Sequence, residues 1–152
     1  MKREYGKPLT KEMLLEWGFT RVEYLPENGI YTFSEDTDWY IERIWRKNSS
    51  KEPVLKRIKV NRAVCKHKYS TDKSYPIITF TFNRKVICLP LSRVIYAWYI
   101  GPIGEREVID HIDNDPYHNH WTNLQKLSVG ENLAKRYLDN PNFARNQYEV
   151  KK

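Results

Sequence analysis

The chain has 152 residues, of which 40% are hydrophobic, 14% aromatic and 30% charged, and its formal charge is +7. That length suits one domain or one domain with a small extension, and the composition is an ordinary soluble balance with ample material for a core. No apolar run is long enough to span a bilayer and "MKREYGKPLTKE" holds no apolar signal core, which excludes a membrane partner and predicts a cytoplasmic protein.

The positive charge favours a polyanion, of which nucleic acid is the commonest, and the plainer reading is a basic protein that simply stays soluble. The charge is unevenly placed. Up to Asp38 acids outnumber bases, whereas from Arg43 to Lys73 a run of lysines and arginines faces only Glu52 and Asp72. "LTKEMLLEWGF" predicts a short helix with Thr10 as its cap, Gly18 as its stop, and Met13, Leu14 and Trp17 on one face. "GIYTF" and "DWYIERIW" predict strands, and "RKNSSKEP" a polar loop. "VLKRIKVNRAV" alternates Ile58, Val60 and Val64 with basic residues, as one half-buried strand does. Its wet face, with Lys56, Lys59 and Arg62, can lie against phosphates. Cys65 and Cys88 form no CxxC pair and predict two reduced, half-buried thiols rather than a zinc site.

"YPIITFTFNRKVICLP" predicts a hairpin whose polar turn, Asn83-Arg84-Lys85, carries positive charge. "LSRVIYAWYIG" predicts a helix with Leu91, Ile95, Trp98 and Tyr99 on one side, ended by Gly101-Pro102. Strand "EVIDHI", loop "DNDPYHNHWTN", strand "LQKLS" and helix "VGENLAKRYL" follow, then a polar tail after Asp139.

Four residues of that last segment can converge: Asp110 and His111 at the end of the first strand, Asn123 where the loop meets the second, and Asn132 in the first turns of the helix. Phosphodiester hydrolysis needs a proton acceptor for water and positive charge at the phosphate. A neutral histidine titrates near working pH, so His111 is the candidate general base. Asp110 and Asn132 offer hard oxygen ligands that suit one Mg²⁺ or Mn²⁺. Each residue has a plainer reading, as a half-buried histidine, turn caps and a helix-surface amide.

With a hairpin, a helix opening near Arg93, then "DH" at Asp110-His111, "NL" at Asn123-Leu124 and "EN" at Glu131-Asn132, the stretch from about Tyr75 to Tyr137 resembles the HNH endonucleases, in the variant whose third letter is also Asn. Within that family the resemblance is to phage and intron-associated homing-type nucleases. The resemblance implies a ββα-metal nuclease unit, metal-dependent cleavage of DNA, and support of the His111 ring by Asn123. Where members of that family often carry Asn or Arg, this loop carries His118 and His120, and Trp121 replaces a smaller apolar residue. A metal set of His111, His118 and His120 is the minor alternative, because two of the three lie in a loop.

The expected fold is therefore α+β. A β-rich basic N-terminal DNA-binding module at 1–74 precedes an HNH unit at 75–138 and a polar tail at 139–152. Arg84, Lys85, Arg93, His118, His120, Lys135 and Arg136 join the basic strand residues as expected DNA contacts. A monomer nicks, whereas a homodimer can break both strands. The rival expectation is a DNA-binding accessory protein on the same scaffold that does not cut; a structural protein using its aromatic surface is the third.

Overall fold

The computed structural model describes residues 7–26, 39–45, 52–65 and 73–139. The strand expected at 29–33, most of the loop at 46–53, Lys66, Lys68 and the tail at 140–152 lie outside the described residues, as does the side chain of Cys65.

Helix α1 (Lys11–Glu16) starts where the Thr10 hydroxyl accepts the Met13 N–H at 3.2 Å. It stops where Gly18 takes φ +91°, which glycine adopts without a Cβ clash. A Cβ there would stand 3.1 Å from the Ile44 carbonyl oxygen. Gly18→Ala is accordingly expected to cost about 1–2 kcal/mol, combining backbone strain with that approach, and to lower the thermal midpoint by a few degrees. An unchanged melting curve would show that the turn relaxes freely.

Strands β1 (Phe19–Tyr24), β2 (Trp39–Trp45) and β3 (Val54–Ile58) form one antiparallel sheet in that order. Strands β4 (Asn61–Cys65), β5 (Lys73–Phe82) and β6 (Lys85–Pro90) form a second. The segment expected as one strand, "VLKRIKVNRAV", is thus two. Its halves bond to different partners, β2 and β5, and the chain changes sheet at Lys59-Val60. The apolar alternation is blind to that corner, because Ile58 is in the core and Val60 packs against it.

The β5–β6 turn has two residues, Asn83 at φ 49° and Arg84 at φ 64°. Two successive left-handed residues match the twist of a tight hairpin. Lys85 pairs with Phe82 and belongs to β6.

Helix α2 (Leu91–Tyr99) is buried from Leu91 through Ala97, while Tyr99 is exposed. The one-sided helix expected from the sequence is corrected: α1, β5, β6 and β7 (Glu107–His111) pack around α2, and Ser92 and Arg93 are buried on the side that the apolar spacing assigned to water. Strands β7 and β8 (Leu124–Ser128) form an antiparallel hairpin, and α3 (Val129–Asp139) packs on both. The architecture is α+β, and no described helix is long and apolar enough to cross a membrane.

One hydrophobic cluster runs through Leu14, Phe19, Ile41, Phe80, Leu89, Ile95 and Leu124, joining α1, both larger sheets, α2 and β8. Phe19 meets Phe80 edge-on at 5.1 Å, and the Arg43 guanidinium donates to Trp17 O and Thr81 O across the same seam. The boundary expected between residues 74 and 75 falls inside β5, where Ser74 and Tyr75 pair with Val64 and Ala63 of β4.

Candidate functional site

Two anchors place β7. Leu9 and Ile103 exchange main-chain hydrogen bonds of 2.9 and 2.8 Å, which ties the start of the chain to the segment entering β7. Arg93 is only 4% exposed and donates to the carbonyl oxygens of Lys7 and Glu107. The expectation of Arg93 as a phosphate contact is therefore corrected. Its charge is spent on main-chain carbonyls that fix the root of the strand, beyond the reach of a backbone phosphate.

The loop from Ile112 to His120 folds around Asn123, which is 6% exposed and sits at the end of a single 3₁₀ turn, Trp121–Asn123. Its Nδ2 donates to Asp113 Oδ1 and His118 O, both at 2.9 Å, and its Oδ1 accepts the Asp113 N–H at 3.2 Å. Its main-chain oxygen accepts the Ile112 N–H at 2.8 Å. Burial alone would raise the Asp113 carboxyl, but bonds from His118, the Asp115 N–H and Asn123 together hold it below its ordinary value.

Asn123 is thus the staple of the loop, and it does not hold the imidazole. Asn119 does so. It is 2% exposed, its Nδ2 donates to Pro116 O at 3.0 Å, and its Oδ1 lies 2.7 Å from His111 Nε2. Because the amide nitrogen is committed to a carbonyl, Oδ1 faces the ring and can only accept. His111 Nε2 therefore carries the hydrogen, and the lone pair of the neutral ring is on Nδ1. Among the described residues Nδ1 has no hydrogen-bond partner, and it is not sealed from solvent. Burial lowers the His111 pKa below 6.5, an effect partly offset by the Asn119 bond and by the charges of Asp110, Asp113 and Asp115. At neutral pH the ring is an uncharged base.

Alternation along β7 gives the Asp110 side chain different partners from those of the His111 ring. Cross-strand Gln125 donates to Asp110 Oδ2 at 2.8 Å, and Lys135 Nζ lies 2.5 Å from the same oxygen. Oδ1 has no partner among the described residues and is not sealed from solvent. Lys135 also reaches His111 O at 2.9 Å, Asn114 Oδ1 at 3.0 Å and Ile112 O at 3.4 Å. The Lys135 charge, expected as a DNA contact, is compensated by Asp110 in this structure.

The start of α3 is set by a reciprocal cap. Glu131 N–H donates to Ser128 Oγ at 3.1 Å, and Glu131 Oε1 accepts the Ser128 N–H at 3.0 Å. Those bonds pull the Glu131 carboxyl below its usual value. Asn132 follows, half-buried and without a hydrogen bond among the described residues. It precedes Lys135 by three residues, so it shares the face that carries Lys135 to Asp110.

The loop histidines serve the scaffold. His118 Nδ1 pairs with Asp113 Oδ2 at 2.5 Å, while His120 bonds Thr122 and stacks on Trp121 at 4.0 Å. Trp121 stacks in turn on Tyr99 at 4.4 Å and meets Trp39 edge-on, which joins the loop to the first sheet. With His111, His118 and His120 each bonded to a separate partner, the three-histidine metal set is not assembled. Among the described residues no three His, Cys, Asp or Glu side chains gather as ligands. A cation at this site would rely on one carboxylate plus amide and carbonyl oxygens. The oxygens around Lys135 Nζ already enclose a positive charge, so the donor set fits a hard cation.

Arg84, Lys85, Lys56, Lys59, Arg62 and Arg136 are exposed. Arg62 on β4 lies over the Tyr117 ring at 5.1 Å, which brings the basic strands to the edge of the site loop. A cleft of about 290 Å³ between β2–β3 and β5 is lined by Arg43, Trp45, Lys56, Arg57 and Lys59, and every charged residue on its wall is cationic.

No signal in the sequence marked Asn119 or Asn114, since an asparagine in a polar loop reads as a turn residue. The capping box was legible in "SVGE". No family model, curated protein or solved structure matches this chain.

Proposed function

We propose that the protein is a metal-dependent DNA endonuclease, with β7, β8 and α3 serving as a ββα-metal unit of the HNH kind. The observation that carries this reading is the His111 ring, held through Nε2 by Asn119 with its Nδ1 open, next to Asp110 with an open Oδ1.

His111 Nδ1 takes a proton from water, and the water oxygen attacks phosphorus. The P–O3′ bond breaks, and the leaving oxygen takes a proton from solvent. A divalent cation, Mg²⁺ or Mn²⁺, held by Asp110 and Asn132 would supply Lewis-acid charge at the phosphate and at the leaving oxygen. Asn119 fixes the tautomer, and Asn123 fixes the loop that carries Asn119. Basic residues of β3, β4 and the β5–β6 turn supply backbone affinity, which weakens steeply with salt.

The test incubates supercoiled plasmid with purified protein and Mg²⁺, beside an EDTA control and Asp110→Asn. Wild type is expected to relax or linearise the plasmid, and both controls to leave it supercoiled. Salt-sensitive DNA binding with no Mg²⁺-dependent cleavage at any tested salt would replace this reading by the non-cutting accessory protein.

A further inference from the structure

Lys135 makes a contact set unusual for a surface lysine. Its ammonium group lies within 3.0 Å of three oxygens, Asp110 Oδ2, His111 O and Asn114 Oδ1, with Ile112 O farther out at 3.4 Å. The side chain is 20% exposed and its carboxylate partner 13%. A carboxylate, two main-chain carbonyls and a side-chain amide oxygen around one positive charge are the donors that a hard metal ion selects. Asn114 is held in place for this by its left-handed backbone, φ 63°, and by its own N–H, which donates to His111 O at 2.9 Å.

We propose that these oxygens are the inner cation site of the protein, that His111 O and Asn114 Oδ1 belong to it together with Asp110, and that Lys135 is a tethered cation which occupies it until a divalent ion displaces the ammonium. The proposal rests on the nuclease reading for the use of the site, but not for its existence. An ion bound to Asp110 Oδ2, His111 O and Asn114 Oδ1 would stand where the ammonium stands, so it enters that site only as Lys135 leaves. The ammonium keeps Asp110 compensated when no metal is bound, which spares the fold a half-buried lone carboxylate. Lys135 is on α3 and has a flexible four-carbon stem, so leaving requires only a change of side-chain rotamer. Once released, it stands beside the site as a cation available to the DNA phosphate. Lys135 is thus a placeholder that competes with the metal rather than one of its ligands.

The test measures Mn²⁺ binding directly, from the loss of the free aqueous Mn²⁺ paramagnetic resonance signal, without DNA. Lys135→Met is expected to bind Mn²⁺ about tenfold or more tightly than wild type, because the competing charge is gone. Adding Asn114→Ala to Lys135→Met is expected to reverse most of the gain, and adding Asp110→Asn to abolish it. Without metal, Lys135→Met is expected to melt below wild type, and with Mn²⁺ to recover. A lysine that merely braces α3 predicts the lower melting point with no change in Mn²⁺ affinity. Should Lys135→Met fail to fold, Lys135→Gln removes the charge and keeps a hydrogen-bonding end.

Equal Mn²⁺ affinity in wild type and Lys135→Met, with Asp110→Asn abolishing both, overturns the tethered cation and leaves the metal-dependent nuclease standing. Tighter binding that survives Asp110→Asn overturns it too, since the ion is then elsewhere. No Mn²⁺ binding by any variant overturns both this proposal and the metal-dependent nuclease.

Discussion

His111→Ala is expected to slow plasmid cleavage by about 10²–10⁴-fold, the usual contribution of a positioned general base. Asn119→Leu is expected to slow it by about 10²-fold, because a ring free to rotate or to change tautomer loses the alignment that proton transfer needs. Leucine resembles asparagine in shape and suits a residue that is only 2% exposed, so the fold should survive. The pH profile separates positioning from damage. Only the neutral ring accepts a proton, so the rate is flat at neutral pH and falls as pH drops through the His111 value, below 6.5. The Asn119 bond raises that value, so Asn119→Leu moves the acid limb to lower pH while the plateau falls. The same ring leaves a trace in stability. Its folded value is depressed, so its contribution is whole above 6.5 and is lost as pH falls through the folded value. A wild-type rate and an unmoved acid limb in Asn119→Leu would refute the orienting role.

Asn123→Ala is expected to destabilise the protein by about 3 kcal/mol, from three partly buried hydrogen bonds at roughly 1 kcal/mol each. The bonds lost are those to Asp113 Oδ1, to His118 O and from the Asp113 N–H. For a chain of this size the thermal midpoint should fall by about 10 °C. Cleavage should fall with it even at temperatures where the variant is folded, because the loop that presents Asn119 is no longer stapled. Asn123→Asp keeps the acceptor but sets a second carboxylate against Asp113, and is expected to be no better tolerated. Urea unfolding checks both; a loss under 1 kcal/mol for the alanine variant would mean that water replaces the amide at little cost.

The sequence was most legible where local chemistry decides the outcome. Thr10 and Gly18 bound α1 by capping and by a backbone that only glycine takes freely, and both effects act over a few residues. The hairpin at Asn83-Arg84 and the strand-loop-strand-helix order from Glu107 to Asp139 were readable for the same reason. What escaped was tertiary. The change of sheet at Lys59-Val60 leaves no mark on an apolar alternation that continues through it. The burial of Arg93 depends on the carbonyls of Lys7 and Glu107, far away in sequence. In the candidate site the residue types were visible but not their division of labour. Asn119 and Asn123 look alike in a polar loop, and only the fold decides which amide meets the imidazole and which meets the loop. Lys135 read as a free cation because an ion pair to a residue 25 positions earlier cannot be inferred from spacing.

The shared core bears on how the proposed cutting unit can be moved between proteins. A cassette starting at residue 75 would lose the β4 partner of β5 and strip Phe80 of its neighbours Phe19 and Trp17. It would also lose Leu9 and the Lys7 carbonyl, the two moorings of the strand that carries His111. Grafting the unit onto a programmable targeting domain would therefore require the chain from Lys7 onward to travel with it, and a fusion partner would best be joined outside the span from Lys7 to Asp139.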